Sequence, residues 1–151
     1  EGAELVLDGR NPKVDGEPTG YFVGPTIFDH VKSGTAIADE EIFGPVLCIM
    51  RVPSIGEAIT QMNKSPFGNA AVVYTNNGKL ARAVQDKAEC GMIGVNVGVP
   101  APMSLFPFSG WKDSFFGDLH VQDMEGIDFC TKKKVIMKRW FDSDELNAIV
   151  F

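Results

Sequence analysis

Residues that build metal and redox centres are scarce in this sequence. His30 and His120 are the only histidines, and Cys48, Cys90 and Cys130 the only cysteines. The cysteines are far apart, odd in number and without a C-x-x-C pair, which argues against a disulfide scaffold and a zinc site and fits a reducing compartment. Neither histidine has a partner three or four positions away, so no metal site is expected. No apolar run approaches the roughly 20 residues of a membrane span, and no signal-peptide pattern opens the chain. Nucleotide fingerprints are missing too: Gly91, Gly94 and Gly98 do not have G-x-G-x-x-G spacing, and no G-x-x-x-x-G-K occurs. Positive charge is short. A formal net charge of −6 repels phosphate backbones, so nucleic acid is not an expected partner. The single basic run, Lys132-Lys133-Lys134 with Lys138 and Arg139, is too short to reverse that.

The 151 residues, 44% hydrophobic and 23% charged, suit one globular domain burying about two-thirds of its unfolded surface. The chain starts on Glu1 and enters a strand-like run at once (residues 3–7), which predicts a piece cut from a longer protein, although removal of a leader would leave the same pattern. Residues 8–20 are rich in Gly, Pro and charge and predict a loop. Residues 21–28 predict a strand, and residues 32–44 a loop with a short helical turn. The run P-V-L-C-I-M-R-V (45–52) predicts a strand covered on both faces. Ser54-Ile55-Gly56-Glu57 matches a capping box and predicts a helix to about Lys64, with Ile55, Ala58, Ile59 and Met62 on one face. Residues 69–75 predict a strand. Leu80, Val84 and Ala88 mark a second helix, with Gly91 as its stop. Residues 92–97 predict a third strand. The β-α-β-α-β order of 45–97 predicts parallel strands with right-handed crossovers, and ligands then gather beyond the strands' carboxyl ends. That places the Pro-, Met- and Phe-rich loop 98–110 at a ligand edge. Residues 119–129 predict a short helix or turn, and 134–141 a late strand.

Two of the three thiols do not read as nucleophiles, and Cys130 is left open. Cys48 sits inside an apolar strand and reads as core, Cys90 stands at a helix C-terminus where the dipole disfavours a thiolate, and Cys130 has no base in sequence reach. Asn96 ends a strand at the ligand edge, where it either caps a turn or contacts a substrate.

Glu40-Glu41-Ile42-Phe43-Gly44-Pro45-Val46 resembles the signature of the aldehyde dehydrogenase superfamily. Other segments match in order: Gly20-Tyr21-Phe22-Val23-Gly24-Pro25-Thr26, Asn63 to Gly68 (N-K-S-P-F-G), Gly94-Val95-Asn96-Val97, and Pro107-Phe108-Ser109-Gly110-Trp111-Lys112-Asp113-Ser114. The resemblance covers residues 1 to about 140. Gly98-Val99-Pro100-Ala101-Pro102, the run S-F-F-G after Asp113, and Gly117-Asp118-Leu119-His120 resemble the methylmalonate-semialdehyde dehydrogenase, CoA-acylating branch. Val121-Gln122-Asp123-Met124 and Lys132 to Met137 depart from that branch.

The resemblance implies an α/β fold: an open, mainly parallel three-layer sheet, part of the catalytic domain, with an additional late strand for oligomerisation. Residues 1–131 are then the C-terminal part of that domain, 132–141 the oligomerisation strand and 142–151 a tail. It implies an NAD-dependent oxidoreductase converting malonate or methylmalonate semialdehyde to acetyl-CoA or propanoyl-CoA with loss of CO2, with coenzyme A as co-substrate. It implies assembly into a homo-oligomer and a cytoplasmic (bacterial) or mitochondrial-matrix location. Glu41 corresponds to the carboxylate that holds the nicotinamide ribose, since a carboxylate can grip both hydroxyls of a diol. Phe43, two residues on, shares a face with Glu41 if the segment is extended and walls the cofactor, or else is core. Pro107 and Phe108 correspond to the aldehyde-tunnel loop, and pocket walls are mostly apolar. The carboxylate at 41 and the loop near 107 are therefore expected to converge on one cleft. The resemblance places the nucleophilic cysteine, the general base and the oxyanion asparagine upstream, so no residue here is assigned a catalytic role and the chain alone is expected to be inactive. Two alternatives are a non-enzymatic assembly or regulatory domain, and part of a hydrolytic aldehyde dehydrogenase.

Overall fold

The computed structural model describes residues 1–17 and 19–140. The fold is α/β with mixed sheets. Strand β1 (Glu4–Leu7) pairs antiparallel with β2 (Thr26–Asp29), and β2 pairs parallel with β3 (Val46–Cys48). A short helix α1 (Ala36–Asp39) precedes β3. Helix α2 (Ile55–Lys64) follows it. A two-residue strand β4 (Phe67–Gly68) pairs antiparallel with β7 (Trp111–Lys112). Strand β5 (Ala70–Val73) and β6 (Met92–Val95) pair parallel along their whole length, joined by the crossover helix α3 (Gly78–Lys87). Helix α4 (Asp123–Cys130) comes last among the described residues.

Helices α2 and α3 start on side-chain caps. Ser54 Oγ accepts the Glu57 N–H at 3.2 Å, and Asn77 Oδ1 accepts the Lys79 and Leu80 N–H groups at 2.9 and 3.3 Å, so each cap satisfies otherwise orphaned amides. Helix α3 ends at Lys87, before Gly91, where Asn63 Nδ2 donates to the Lys87 carbonyl at 2.8 Å and its Oδ1 accepts the Glu89 N–H at 2.9 Å. The apolar faces of α2 and α3 then close over the β5–β6 pair. Ile59, Val84, Ala88 and Cys90 form the buried cluster, with Ile55, Met62, Ala71, Val73 and Ile93 packed against it. Burial of each aliphatic side chain of this kind contributes about 1.5–3 kcal/mol.

The structure departs from the sequence reading in three places. Only Val46–Cys48 of the 45–52 run is strand, its partner is β2 rather than β5, and Leu47 is 56% exposed. An apolar run fixes burial appetite but not the neighbour; here Met50 and Val52 turn toward Ala58 and Met62 of α2. The run 21–28 is strand only from Thr26, where the ladder with β3 begins. The expected late strand is not formed by residues 132–140, which make no ladder with the described part of the chain. A strand needs a partner edge, and Val135, Met137 and Trp140 stand 92%, 95% and 87% exposed. The end of that strand and the expected tail lie outside the described residues.

Candidate active-site surface

Glu41 emerges just after α1, exposed, at the mouth of two adjoining cavities of about 340 and 290 Å³. Glu41, Phe67, Asn69 and Ser114 line both. Glu89 and Cys90 close the larger one, and Asp113 and Phe116 the smaller. Two long-range straps bring this surface together. Ser114 Oγ accepts the Gly68 N–H at 3.1 Å across 46 residues. Lys112 Nζ donates to the carbonyls of Asn63 and Ser65 at 2.8 and 3.1 Å and pairs with Glu89 at 3.0 Å. Glu41 itself makes no hydrogen bond to any described residue, so its carboxylate keeps its acceptor capacity for a ligand.

The expected sharing of one cleft by Glu41 with Pro107 and Phe108 is not seen in this loop. Its downstream end, residues 113–116, faces Glu41. Pro107 and Phe108 are half-buried and do not line the two Glu41 cavities. Phe108 N–H donates to the Val121 carbonyl at 2.9 Å, and the next residue is wedged against the start of β6. A Cβ added to Gly91 would stand 2.3 Å from the Ser109 carbonyl oxygen, so only glycine lets these two backbones approach. Phe43 is 98% exposed and does not line the Glu41 cavities. The shared-face argument for it fails because the segment is bent: Gly44 N–H donates to the Ile42 carbonyl at 2.8 Å.

Asn96 is a turn lock. Its Oδ1 accepts the Thr75 N–H at 2.8 Å and its Nδ2 donates to the Thr75 carbonyl at 3.0 Å. It does so at φ +56°, a conformation asparagine tolerates better than most residues. Cys90 is buried, Cys48, read as core, is only half-buried, and Cys130 is exposed. Burial pushes Cys90 and Cys48 up from the ordinary thiol range, the reverse of what a nucleophile needs.

Beside the loop lies a side-chain array that sequence reading missed. His120 Nδ1 is 2.8 Å from Glu125 Oε2, and the His120 backbone N–H donates to the same oxygen at 2.8 Å. The other ring nitrogen is 3.4 Å from Ser109 Oγ, and the ring stacks on Phe115 at 4.3 Å and 28°. The Glu125 carboxyl is held below the ordinary range, first by that backbone N–H and then by the imidazole. The only sequence hint was His120 and Glu125 five positions apart around a helix start. Among the described residues no group of His, Cys, Asp and Glu side chains could hold a metal ion, and no helix is long and apolar enough to cross a membrane.

Glu41, just upstream of β3, thus shares two cavities with Ser114 beside the parallel β5–β6 pair. Residues 1–136 match the aldehyde dehydrogenase family, and the chain belongs to it. It is 55% identical over 141 residues to malonate-semialdehyde dehydrogenase 1 of Geobacillus thermodenitrificans, covering 93% of this chain and 29% of that protein. It is equally 55% identical over 141 residues to malonate-semialdehyde dehydrogenase 2 of Bacillus anthracis, covering 93% of this chain and 28% of that protein. Among solved structures it resembles the methylmalonate-semialdehyde dehydrogenase of Oceanimonas doudoroffii, with a TM-score of 0.89, 39% identity, and coverage of 96% of this chain and 30% of that one. A protein of Sinorhizobium meliloti 1021 assigned to the same enzyme type, solved with NAD, has a TM-score of 0.89, 40% identity, and coverage of 95% and 29%. The chain thus spans under a third of the length of these relatives.

Proposed function

We propose that this chain is part of an NAD-dependent, CoA-acylating dehydrogenase of malonate or methylmalonate semialdehyde, yielding acetyl-CoA or propanoyl-CoA with loss of CO2. The observation that carries the cofactor half of this reading is the Glu41 carboxylate, without a protein partner among the described residues and facing Ser114 across a cavity. Such a group fits a ribose diol, because a carboxylate accepts from two hydroxyls at once. The substrate half is supported by the malonate-semialdehyde dehydrogenases that match over 141 residues and by the G-V-P-A-P and G-D-L-H segments.

NAD, when bound, supplies the hydride acceptor. This chain's share is binding and orientation. Glu41 holds the ribose, and the exposed Phe43 ring is available to wall the cofactor once the rest of the protein closes over it. Phe116 lines the smaller Glu41 cavity. Pro107 and Phe108 offer an apolar wall to the aldehyde. The nucleophilic thiolate comes from a segment outside this chain, as the family resemblance implies, and burial pushes both Cys48 and Cys90 away from the thiolate form. Coenzyme A accepts the acyl group. Copies associate through the segment 132–141, whose exposed Val135, Met137 and Trp140 need a partner edge, and the enzyme works in a bacterial cytoplasm or mitochondrial matrix.

The test is NADH formation by the enzyme containing this chain, given malonate semialdehyde or its methyl homologue with and without coenzyme A. Acyl-CoA is the expected product, and the 151-residue chain alone should give no NADH. Release of the free acid regardless of coenzyme A would replace this reading with a hydrolytic one. Turnover by the isolated chain would contradict the external nucleophile.

A further inference from the structure

We infer that His120 is a positioning residue for the cofactor cavity: fixed by Glu125 and stacked on Phe115, it sets how the turn at residues 114–116 faces Glu41. The inference rests on the cofactor reading of the Glu41 cavity and goes beyond it.

The turn alternates between two environments. Ser114 faces the Glu41 cavities and is pinned by the Gly68 N–H. Phe115 points the other way, onto the His120 ring. Phe116 lines both the smaller Glu41 cavity and a separate apolar cavity of about 350 Å³ that also contains His120, Leu119 and Phe129. The turn is therefore a shared wall, with Glu41 on one side and His120 on the other. Upstream it is anchored by Lys112 and by the Asp113 N–H on the Pro66 carbonyl at 3.0 Å. Downstream comes Gly117 at φ +97°, a position with little stiffness of its own, so the next firm anchor is His120.

That anchor is bound on three sides: Glu125 at Nδ1, Ser109 at Nε2 and Phe115 on its face. A ring held by hydrogen bonds at both nitrogens has a fixed plane, and a stacked neighbour then inherits that plane. Displacing Phe115 moves Ser114 and Phe116 with it, since they are its chain neighbours. A shift of about 1 Å in a binding wall is enough to weaken a ligand's fit. His120 makes none of the contacts to the Glu41 cavities itself.

The test is a double-mutant cycle in the complete NAD-binding enzyme, pairing His120→Phe with Glu41→Gln. Phenylalanine keeps a ring against Phe115 and deletes both nitrogens. The NAD dissociation constant should rise roughly threefold to tenfold in His120→Phe. The kcat at saturating NAD should stay within about twofold, as expected when binding rather than the reacting centre is disturbed. The effect should shrink in the Glu41→Gln background, because a weakened grip has less to lose from a moved wall. Glu125→Gln, which keeps an acceptor for the His120 amide but holds the ring less firmly, should reproduce the change more weakly and stands in if His120→Phe does not fold. An unchanged NAD affinity, full additivity with Glu41→Gln, or a fall in kcat at constant KM would each overturn the inference. Wild-type enzyme that fails to bind NAD would remove the cofactor reading itself, and this inference with it.

Discussion

Replacing Glu41 by glutamine keeps the side chain's size and removes its charge. The side chain is exposed at the cavity mouth and bonds no described residue, so folding stability should stay within about 0.5 kcal/mol. The ligand should feel the change. A hydrogen bond to a charged group contributes about 1.5–3 kcal/mol and a neutral one about 0.5–1.5, a difference near 1 kcal/mol per bond. Two bonds to a diol would double that, and solvent screening at an open site removes roughly half of it. About 1 kcal/mol remains, or about a fivefold loss of NAD affinity. Hydride transfer should slow as well, because the nicotinamide is less firmly placed. NAD titration of the enzyme containing this chain, with single-turnover measurement of NADH formation, reads both. Unchanged affinity together with an unchanged single-turnover rate would refute the assignment of Glu41.

Asn96→Ala loses two solvent-exposed bonds to Thr75 and leaves a Cβ-bearing residue at φ +56°, so it should cost about 2 kcal/mol, whereas Asn96→Gly should cost about 1; equal costs by chemical denaturation would mean the backbone conformation contributes nothing. Gly91→Ala must push the Ser109 carbonyl away from a 2.3 Å encounter, costing about 1–3 kcal/mol and raising the KM for aldehyde more than that for NAD; wild-type aldehyde kinetics would detach this loop from substrate. The Asp29 carboxyl is held at about 2, against an ordinary 3.8, by Arg51 and then by the His30 N–H. Because this pKa is depressed, the stabilisation is complete above about pH 4 and is lost as pH falls toward 2. Acid titration of Asp29→Asn should therefore show a shallower loss of stability across pH 4 to 2 than wild type, and identical curves would count against the pair.

The parts of the fold legible in the sequence are those decided by neighbours in the chain. Ser54 and Glu57 mark the start of α2, and the apolar spacing of Ile55, Ile59 and Met62 marks its buried face. A helix between two strands predicted parallel pairing, which β5 and β6 show. What local pattern cannot hold is the choice of distant partner. The pairing of β3 with β2, the Ser114 bond to Gly68 and the Lys112 strap to Asn63 join segments far apart in sequence. At the site, Glu41 was legible as a motif, and it lines two cavities together with Ser114 rather than with Pro107 and Phe108. Alternation suggested a common face for Phe43, but the bend at Gly44 breaks the alternation. The P-F-S-G-W-K-D-S motif was read for its first two residues, while Ser114 near its end lines the Glu41 cavities and Lys112 ties the loop to Asn63, Ser65 and Glu89. Asn96 had two readings in sequence, and its pair of bonds to Thr75 selects the turn.

A crystal structure of the complete enzyme with NAD would probe the account at its centre. The expected result is a Glu41 carboxylate within hydrogen-bond distance of both nicotinamide-ribose hydroxyls, with residues 113–116 on the opposite side of the ribose. A dinucleotide bound away from the Glu41 cavity, with that carboxylate left in solvent, would contradict it.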